Sequence, residues 1–70
     1  MNNTIRIQRA IKDISQEKLA NDLGVHRQTI YGIEKNKYVP SVELALKIAR
    51  YFGKRVEEIF SLDDEEQPLA

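Results

Sequence analysis

Residues 16–35 read QEKLANDLGVHRQTIYGIEK, and they contain two short helical patterns separated by one glycine. In each pattern apolar residues recur at intervals of three and four, as they do in an amphipathic helix. Gly24 stands where the first helix must end, because only glycine takes a left-handed backbone without steric cost. Ala20 is small enough to let the two helices approach closely. The apolar contacts are expected from Leu19, Leu23, Val25, Ile30 and Ile33. The stretch therefore predicts a helix-turn-helix.

The polar face of the second helix carries residue types that read DNA. Arg27, Gln28, Tyr31 and Gly32 are expected to project outward from it. Gln28 offers a donor and an acceptor that match an adenine edge in the major groove. Arg27 can reach guanine or a phosphate, and Thr29 and Tyr31 can touch a thymine methyl or a phosphate. Arg27, Gln28, Thr29 and Tyr31 are thus the predicted base contacts.

Size and composition limit the possible functions. The 70 residues predict one small domain, whose marginal core makes self-association plausible. The absence of cysteine excludes disulfides, a thiol nucleophile and a thiolate metal site, and it fits a cytoplasmic location. No apolar run has the length of a membrane span, and no signal-peptide pattern opens the chain. We expect no enzyme activity and no cofactor, because the sequence offers no nucleophile–base pair and no phosphate-binding glycine loop. We expect no metal site, because His26 has no second histidine or cysteine with which to share a metal.

The charge is balanced overall but segregated along the chain. Residues 1–40 carry seven basic and four acidic side chains, whereas residues 41–70 carry four basic and seven acidic ones. One face of the folded domain can therefore be basic although the net charge is zero.

Three further helices are expected around the helix-turn-helix. The first runs from about Thr4 to about Lys12, because Asn2, Asn3 and Thr4 are all favourable N-cap residues; an extended segment over residues 1–4 is the alternative. The apolar residues of this helix do not form one stripe. Ile7 or Ile11 is therefore expected either to be exposed or to meet another part of the chain.

The remaining helix ends are marked by capping residues. Ser15 caps the second helix, His26 begins the third, and Asn36 ends the third in a left-handed conformation. Ser41 caps the fourth helix and Gly53 stops it. The apolar residues of the fourth helix lie nearly all round it, which predicts a buried central helix: Val42, Leu44, Ala45, Leu46, Ile48, Ala49 and Phe52. Val56, Ile59 and Phe60 predict a short fifth helix, which completes an all-α bundle.

One set of residues forms a pattern that spans nearly the whole chain. It consists of Arg9, Ser15-Gln16, Leu19-Ala20, Leu23-Gly24-Val25, Arg27-Gln28-Thr29-Ile30, Ile33-Glu34, Tyr38, Pro40-Ser41, Leu44-Ala45, Ile48-Ala49, Phe52 and Glu58-Ile59-Phe60. In this pattern the chain resembles the Cro/CI-type (XRE-like) helix-turn-helix repressors over residues 3–60. It is most similar to the minimal stand-alone regulators of the cytolysin-repressor type. The resemblance implies a five-helix lambda-repressor-like fold and a homodimer that acts on a palindromic operator in double-stranded DNA.

The resemblance also assigns roles to individual residues. It implies phosphate contacts from the start of helix 2, from the loop after helix 3 and from the start of helix 4; the predicted set is Gln16, His26, Lys35, Asn36, Lys37 and Ser41. It implies an ion pair between Arg9 and Glu34. Three positions depart from the family pattern: Asn36 stands where glycine is usual, Gln8 stands where leucine is frequent, and Gly32 stands where many members carry a DNA-facing side chain.

The C-terminal segment is the predicted dimer interface. Val56, Phe60 and Leu62 are more apolar than a surface of this size needs, although they can instead close the intramolecular core. We therefore divide the chain into a DNA-binding and dimerisation domain over residues 1–62 and an acidic, mobile tail over residues 63–70.

Sequence-specific repression is the function that this pattern favours. One alternative is the antitoxin of a toxin–antitoxin pair, which is disfavoured by the short stretch that follows Phe60. Another is a protein-interaction module that has lost DNA binding. Such a module would more often carry apolar or acidic residues in place of Arg27, Gln28, Lys35 and Lys37.

Overall fold

The computed structural model describes residues 1–63, which form five helices and a minimal two-stranded sheet. The elements are β1 (Asn2–Asn3), α1 (Ile5–Lys12), α2 (Gln16–Leu23), α3 (Arg27–Glu34), α4 (Val42–Phe52), α5 (Val56–Ile59) and β2 (Phe60–Ser61). The predicted helical architecture, with the helix-turn-helix at α2 and α3, is confirmed.

The helix ends follow the capping chemistry expected from the sequence. The Ser15 hydroxyl oxygen accepts a hydrogen bond from the backbone N–H of Lys18 at 3.0 Å, and Ser41 accepts one from Leu44 at 3.1 Å. Gly24 and Gly53 end α2 and α4 with left-handed φ angles of 74° and 65°.

Two helix ends use left-handed residues other than glycine. Asp13 closes α1 at φ 57°, and Asn36 follows α3 at φ 59°. Asparagine and aspartate tolerate this conformation better than other non-glycine residues. The left-handed conformation of Asn36 was expected, whereas that of Asp13 was not.

The N-terminal residues are extended, as in the alternative that the sequence left open. Asn2 pairs with Ser61 and Asn3 with Phe60 in an antiparallel ladder. Helix α5 is therefore one residue shorter than expected, because Phe60 adopts extended angles (φ −115°, ψ 141°) to pair with β1.

The core lies where α1, α2, α3, α4, α5 and β2 meet. Its buried side chains are Ile5, Leu19, Ala20, Ile30, Ile33, Ile48, Ala49, Phe52, Ile59 and Phe60. The expectation that α4 is buried all round is wrong, because Val42 is 78% exposed and Leu46 is 55% exposed. Both side chains lie on a face of α4 that residues 1–63 leave uncovered. Ile7 and Ile11 of α1 are also exposed.

A polar cluster joins α4 to α2 on the surface. The Tyr51 hydroxyl donates to an oxygen of the Asp22 carboxylate at 2.6 Å, and Lys18 lies 3.1 Å from the same carboxylate. The Tyr51 hydroxyl bond and then Lys18 lower the pKa of Asp22, while the same bond raises the pKa of Tyr51. The Lys12 ammonium lies 5.6 Å from the centre of the Tyr51 ring.

Asp63, the first residue of the predicted tail, is tied to the N-terminal strand, because its carboxylate accepts a hydrogen bond from the Asn2 amide at 2.6 Å. Residues 64–70 lie outside the described residues, so the rest of the predicted tail does too. Within residues 1–63 no helix has both the length and the apolar character needed to cross a membrane.

Candidate DNA-binding surface

The corner between α2 and α3 holds α3 against the body of the domain. The backbone N–H of Val25 donates to the carbonyl of Ala20 at 3.0 Å, which closes the left-handed turn at Gly24. Ala20 is fully buried, as are Ile30 and, within 1%, Ile33 on the inner face of α3. The packing of this inner face fixes the orientation of α3, so the opposite face of the helix points toward solvent.

The predicted base contacts lie on this outer face. Arg27, Gln28 and Tyr31 are exposed, and with Gln16 they line one open concavity of about 380 Å³. Thr29 is half-buried, so its side chain is less available than the other three. The start of α2 and the outer face of α3 therefore form one continuous surface, which we call the reading surface.

Positive charge collects at the C-terminal end of the reading surface. The ammonium groups of Lys35 and Lys37 lie 5.9 Å and 5.4 Å from the centre of the Tyr31 ring. Cations at this distance from an aromatic face are attracted to it. Tyr31 is thereby flanked by two lysines.

The Arg9–Glu34 pair lies beneath this charged end. Arg9 Nε lies 2.7 Å from one Glu34 carboxylate oxygen, and its Nη2 lies 3.1 Å from the other. The side chains are 15% and 5% exposed. Arg9 Nη1 also donates to the carbonyl of Ile14 at 3.1 Å. The pair thus joins α1, the loop before α2 and the end of α3.

Gln16 belongs partly to the same network. Its side-chain nitrogen donates to a Glu34 carboxylate oxygen at 3.1 Å, and the residue is half-buried. A side-chain amide has two N–H donors and an oxygen acceptor, so one donor of Gln16 is used by Glu34 and further bonding capacity is left.

The remaining predicted phosphate contacts are exposed but differ in what holds them. The Asn36 side-chain oxygen accepts a hydrogen bond from the Asn3 amide at 3.2 Å, and Asn3 also donates to the Ile33 carbonyl at 2.8 Å. The Ser41 hydroxyl oxygen caps α4. His26 stands at the N-cap of α3 without a side-chain capping bond.

Tyr38, which belongs to the family pattern but was assigned no role from the sequence, also lies at this surface. Its hydroxyl lies 2.9 Å from the carbonyl oxygen of Thr29 and 3.1 Å from that of Gln28, and donates to them. Its ring covers Gly32, which is buried. The expectation that Gly32 projects outward is therefore wrong. A glycine in a recognition helix was the available signal, because it implies that something approaches the backbone closely.

The fold and the exposed face of α3 together define a helix-turn-helix DNA-binding domain of transcriptional regulators. The model of the HTH_3 helix-turn-helix family matches residues 5–59. The chain belongs to this family, and the resemblance to Cro/CI-type regulators is confirmed.

Several relatives share much of the sequence, and two of them are of similar length. An HTH-type transcriptional regulator of Methanocaldococcus jannaschii is 52% identical over 66 residues, which cover 94% of this chain and 100% of that protein. The Bacillus subtilis HTH-type transcriptional regulator YgzD is 48% identical over 93% of this chain and 98% of its own length. The cryptic phage CTXphi transcriptional repressor RstR of Vibrio cholerae is 35% identical over 81% of this chain and 51% of its own length.

Proposed function

We propose that this protein is a sequence-specific transcriptional repressor that binds a palindromic operator as a homodimer, with α3 in the major groove. The observation that carries the proposal is the exposure of Arg27, Gln28 and Tyr31 on a helix whose opposite face is fully packed. A recognition helix of this kind lies in the major groove while the body of the domain rests on the DNA backbone.

The residues divide into two roles. Gln28 reads an adenine edge and Arg27 a guanine edge or a phosphate, while Thr29 and Tyr31 add contacts to a thymine methyl or a phosphate. The phosphate contacts fix the register of the protein on DNA, and we assign them to Gln16, His26, Lys35, Asn36, Lys37 and Ser41. The RstR relative is a repressor by name, which favours repression over activation.

An apolar surface next to β2 supports the homodimer. Val39, Val42 and Leu46 are 63%, 78% and 55% exposed, and they line a shallow concavity with Met1, Pro40, Ala45, Val56 and Phe60. Leu62, which is 48% exposed, follows β2 in the chain. Phe60 itself is only 6% exposed, because it packs in the core of its own chain, so it can contribute little area to a partner.

A second copy of this chain fits the small size of the domain. A 70-residue chain has little core, and a two-fold interface buries the same apolar surface on both copies. In a two-fold dimer the two α3 helices can reach successive major grooves about 34 Å apart, which is the geometry of a palindromic operator.

Selection of bound sequences from random double-stranded oligonucleotides tests the function. The wild-type protein is expected to enrich a palindrome, and Gln28→Ala should relax the preference at one position in each half-site. Lys37→Ala should weaken binding to all sequences alike. Lys54→Ala is the matched control, because Lys54 lies beyond the opposite end of α4 from Ser41 and should bind as the wild type does. Enrichment of no sequence by the wild type would refute the proposal.

The salt dependence of binding gives a quantitative check. Arg27, Lys35 and Lys37 from two protomers supply six cations to phosphates at most. Six such contacts correspond to a slope of about −5 in log K against log salt, or a loss of about 10³-fold between 50 and 200 mM salt. Affinity that is independent of salt would contradict the assigned phosphate contacts.

Sedimentation of two matched variants tests the dimer. Val42→Asp places a charge on the apolar surface and should yield a folded monomer at tens of micromolar. Ile11→Asp places the same charge at a 73% exposed position on α1, and it should sediment as the wild-type dimer. A monomeric wild type, or a dimer that survives Val42→Asp, would exclude this interface.

A further inference from the structure

We infer that Tyr38 is a DNA-contacting residue that determines part of the sequence preference, and that it takes the place of the side chain missing at Gly32. The inference rests on the proposed function and adds a residue from outside α3 to the reading surface.

The first observation is steric. A β-carbon built on Gly32 would lie 2.6 Å from Tyr38 Cζ and 2.7 Å from its hydroxyl oxygen, closer than side chains approach in real structures. The Tyr38 ring therefore occupies the space that any larger residue at position 32 would fill. Positions 28 and 32 are one helical turn apart, so they share a face of α3.

The second observation is the anchoring of the ring. The Tyr38 hydroxyl shares its single hydrogen between the carbonyl oxygens of Thr29 and Gln28, at 2.9 Å and 3.1 Å. These carbonyls belong to the two central residues of the proposed base-reading set. The ring position is thus fixed relative to Gln28 before DNA binds, so little conformational freedom remains to be lost on binding.

The third observation is exposure. Although its hydroxyl is engaged, Tyr38 remains 47% exposed. The preceding residue, Lys37, reaches the Tyr31 ring at 5.4 Å, which places the loop at the charged end of the reading surface. A rigid aromatic edge beside Gln28 can make the apolar contact that distinguishes a thymine methyl from other base edges.

The test combines sequence selection with thermal unfolding for four variants. Tyr38→Ala is expected to lose about tenfold in discrimination at one or two base pairs per half-site, distinct from those affected by Gln28→Ala. Tyr38→Phe retains the ring but loses the two hydroxyl bonds that hold it, so it should keep the wild-type base preference while binding all sequences more weakly. Gly32→Ala alone should be destabilised, because its methyl group and the Tyr38 ring compete for the same space.

The double variant Gly32→Ala/Tyr38→Ala distinguishes a DNA contact made by Tyr38 from structural support of α3 by Tyr38. Alanine favours a helix more than glycine does, so the double variant should melt no lower than Tyr38→Ala alone. Its base preference should nevertheless stay relaxed. If the double variant regains the wild-type preference, or if Tyr38→Ala lowers affinity for all sequences equally, Tyr38 is a structural support and the inference is overturned.

The outcomes also distinguish this inference from the proposed function. If the wild-type protein enriches no sequence, both the proposed function and the inference on Tyr38 are refuted. Alternatively, the wild type enriches a palindrome whose preference is relaxed by Gln28→Ala but unchanged by Tyr38→Ala. In that case the proposed repressor function is supported, and only the inference on Tyr38 is refuted.

Discussion

Replacing Arg9 by alanine should destabilise the domain more than any other single loss of charge at its ion pairs. The substitution removes both bonds to Glu34 and the bond to the Ile14 carbonyl. The Glu34 side chain is only 5% exposed, so water cannot readily replace the guanidinium. An unpaired carboxylate would then remain between α1 and α3.

The size of the effect follows from this burial. Breaking a buried ion pair by removing one partner costs about 3–5 kcal/mol. Because the Gln16 amide still donates to Glu34 at 3.1 Å, we expect the lower end of the range. At about 0.05–0.15 kcal/mol per residue, a domain of this size has a total stability of about 3.5–10 kcal/mol, so the loss is a large share.

Urea unfolding followed by circular dichroism measures the loss. With a slope of about 1 kcal/mol per molar urea, Arg9→Ala should lower the midpoint by about 3 M. Arg55→Ala is the matched control, since it removes an exposed pair with Glu57 whose side chains are 75% and 67% exposed. Such a pair contributes about 0–1 kcal/mol.

A double variant tests whether the unpaired Glu34 carboxylate is what destabilises Arg9→Ala. Adding Glu34→Gln to Arg9→Ala removes the buried charge, so the double variant should be more stable than Arg9→Ala alone. The reasoning would be refuted if Arg9→Ala and Arg55→Ala unfolded within about 1 kcal/mol of each other, which is the range of exposed pairs.

Three further predictions concern caps and a surface hydrogen bond. Gly24→Ala should lower the free energy of unfolding by about 1–2 kcal/mol, which is the penalty for a side chain at φ 74°. No atom lies within 4 Å of the added carbon, so this backbone strain is the whole expected cost, and thermal unfolding measures it. Ser41→Ala should cost about 1 kcal/mol through the lost cap on the Leu44 N–H, and a melting temperature equal to wild type would contradict it. Tyr51→Phe should destabilise the domain at neutral pH, because it removes the hydroxyl that lowers the pKa of Asp22. A carboxyl group whose pKa is lowered by folding stabilises the fold at pH values above its pKa in the unfolded chain, which is about 3.9. This stabilisation is lost as the pH falls through the pKa of the group in the folded protein. The gap between Tyr51→Phe and wild type should therefore shrink in urea titrations below about pH 4, and a constant gap would exclude the bond as its cause.

Local signals in the sequence were sufficient for the helices and their ends. Ser15, Ser41, Gly24 and Gly53 act within one or two turns of their own positions, so their roles can be deduced from neighbouring residues. The same holds for the outer face of α3, where period and polarity together distinguish Arg27 and its neighbours from the buried side.

Features that depend on distant parts of the chain were not predictable in this way. The pairing of Asn3 with Phe60 joins residues 57 positions apart, and it converts the expected end of α5 into a strand. The exposed face of α4 has a similar origin, because composition alone cannot show which side of an apolar helix its own chain covers. Tyr38 over Gly32 is a third case, in which a loop residue determines what a helix position can hold.

The pairing of charges explains how a chain with no net charge can present a basic surface. Glu34, the acidic residue of α3, is neutralised by Arg9 beneath the reading surface, and Asp22 of α2 is held by Lys18 and Tyr51. In residues 1–63 the ion pairs do not include Arg27, Lys35 or Lys37. These three cations are thus outside the ion pairs of residues 1–63, and under the proposed function they are available to DNA phosphates. Net charge is therefore a poor guide to nucleic-acid binding in a domain this small, because what decides is which side of the molecule carries the carboxylates.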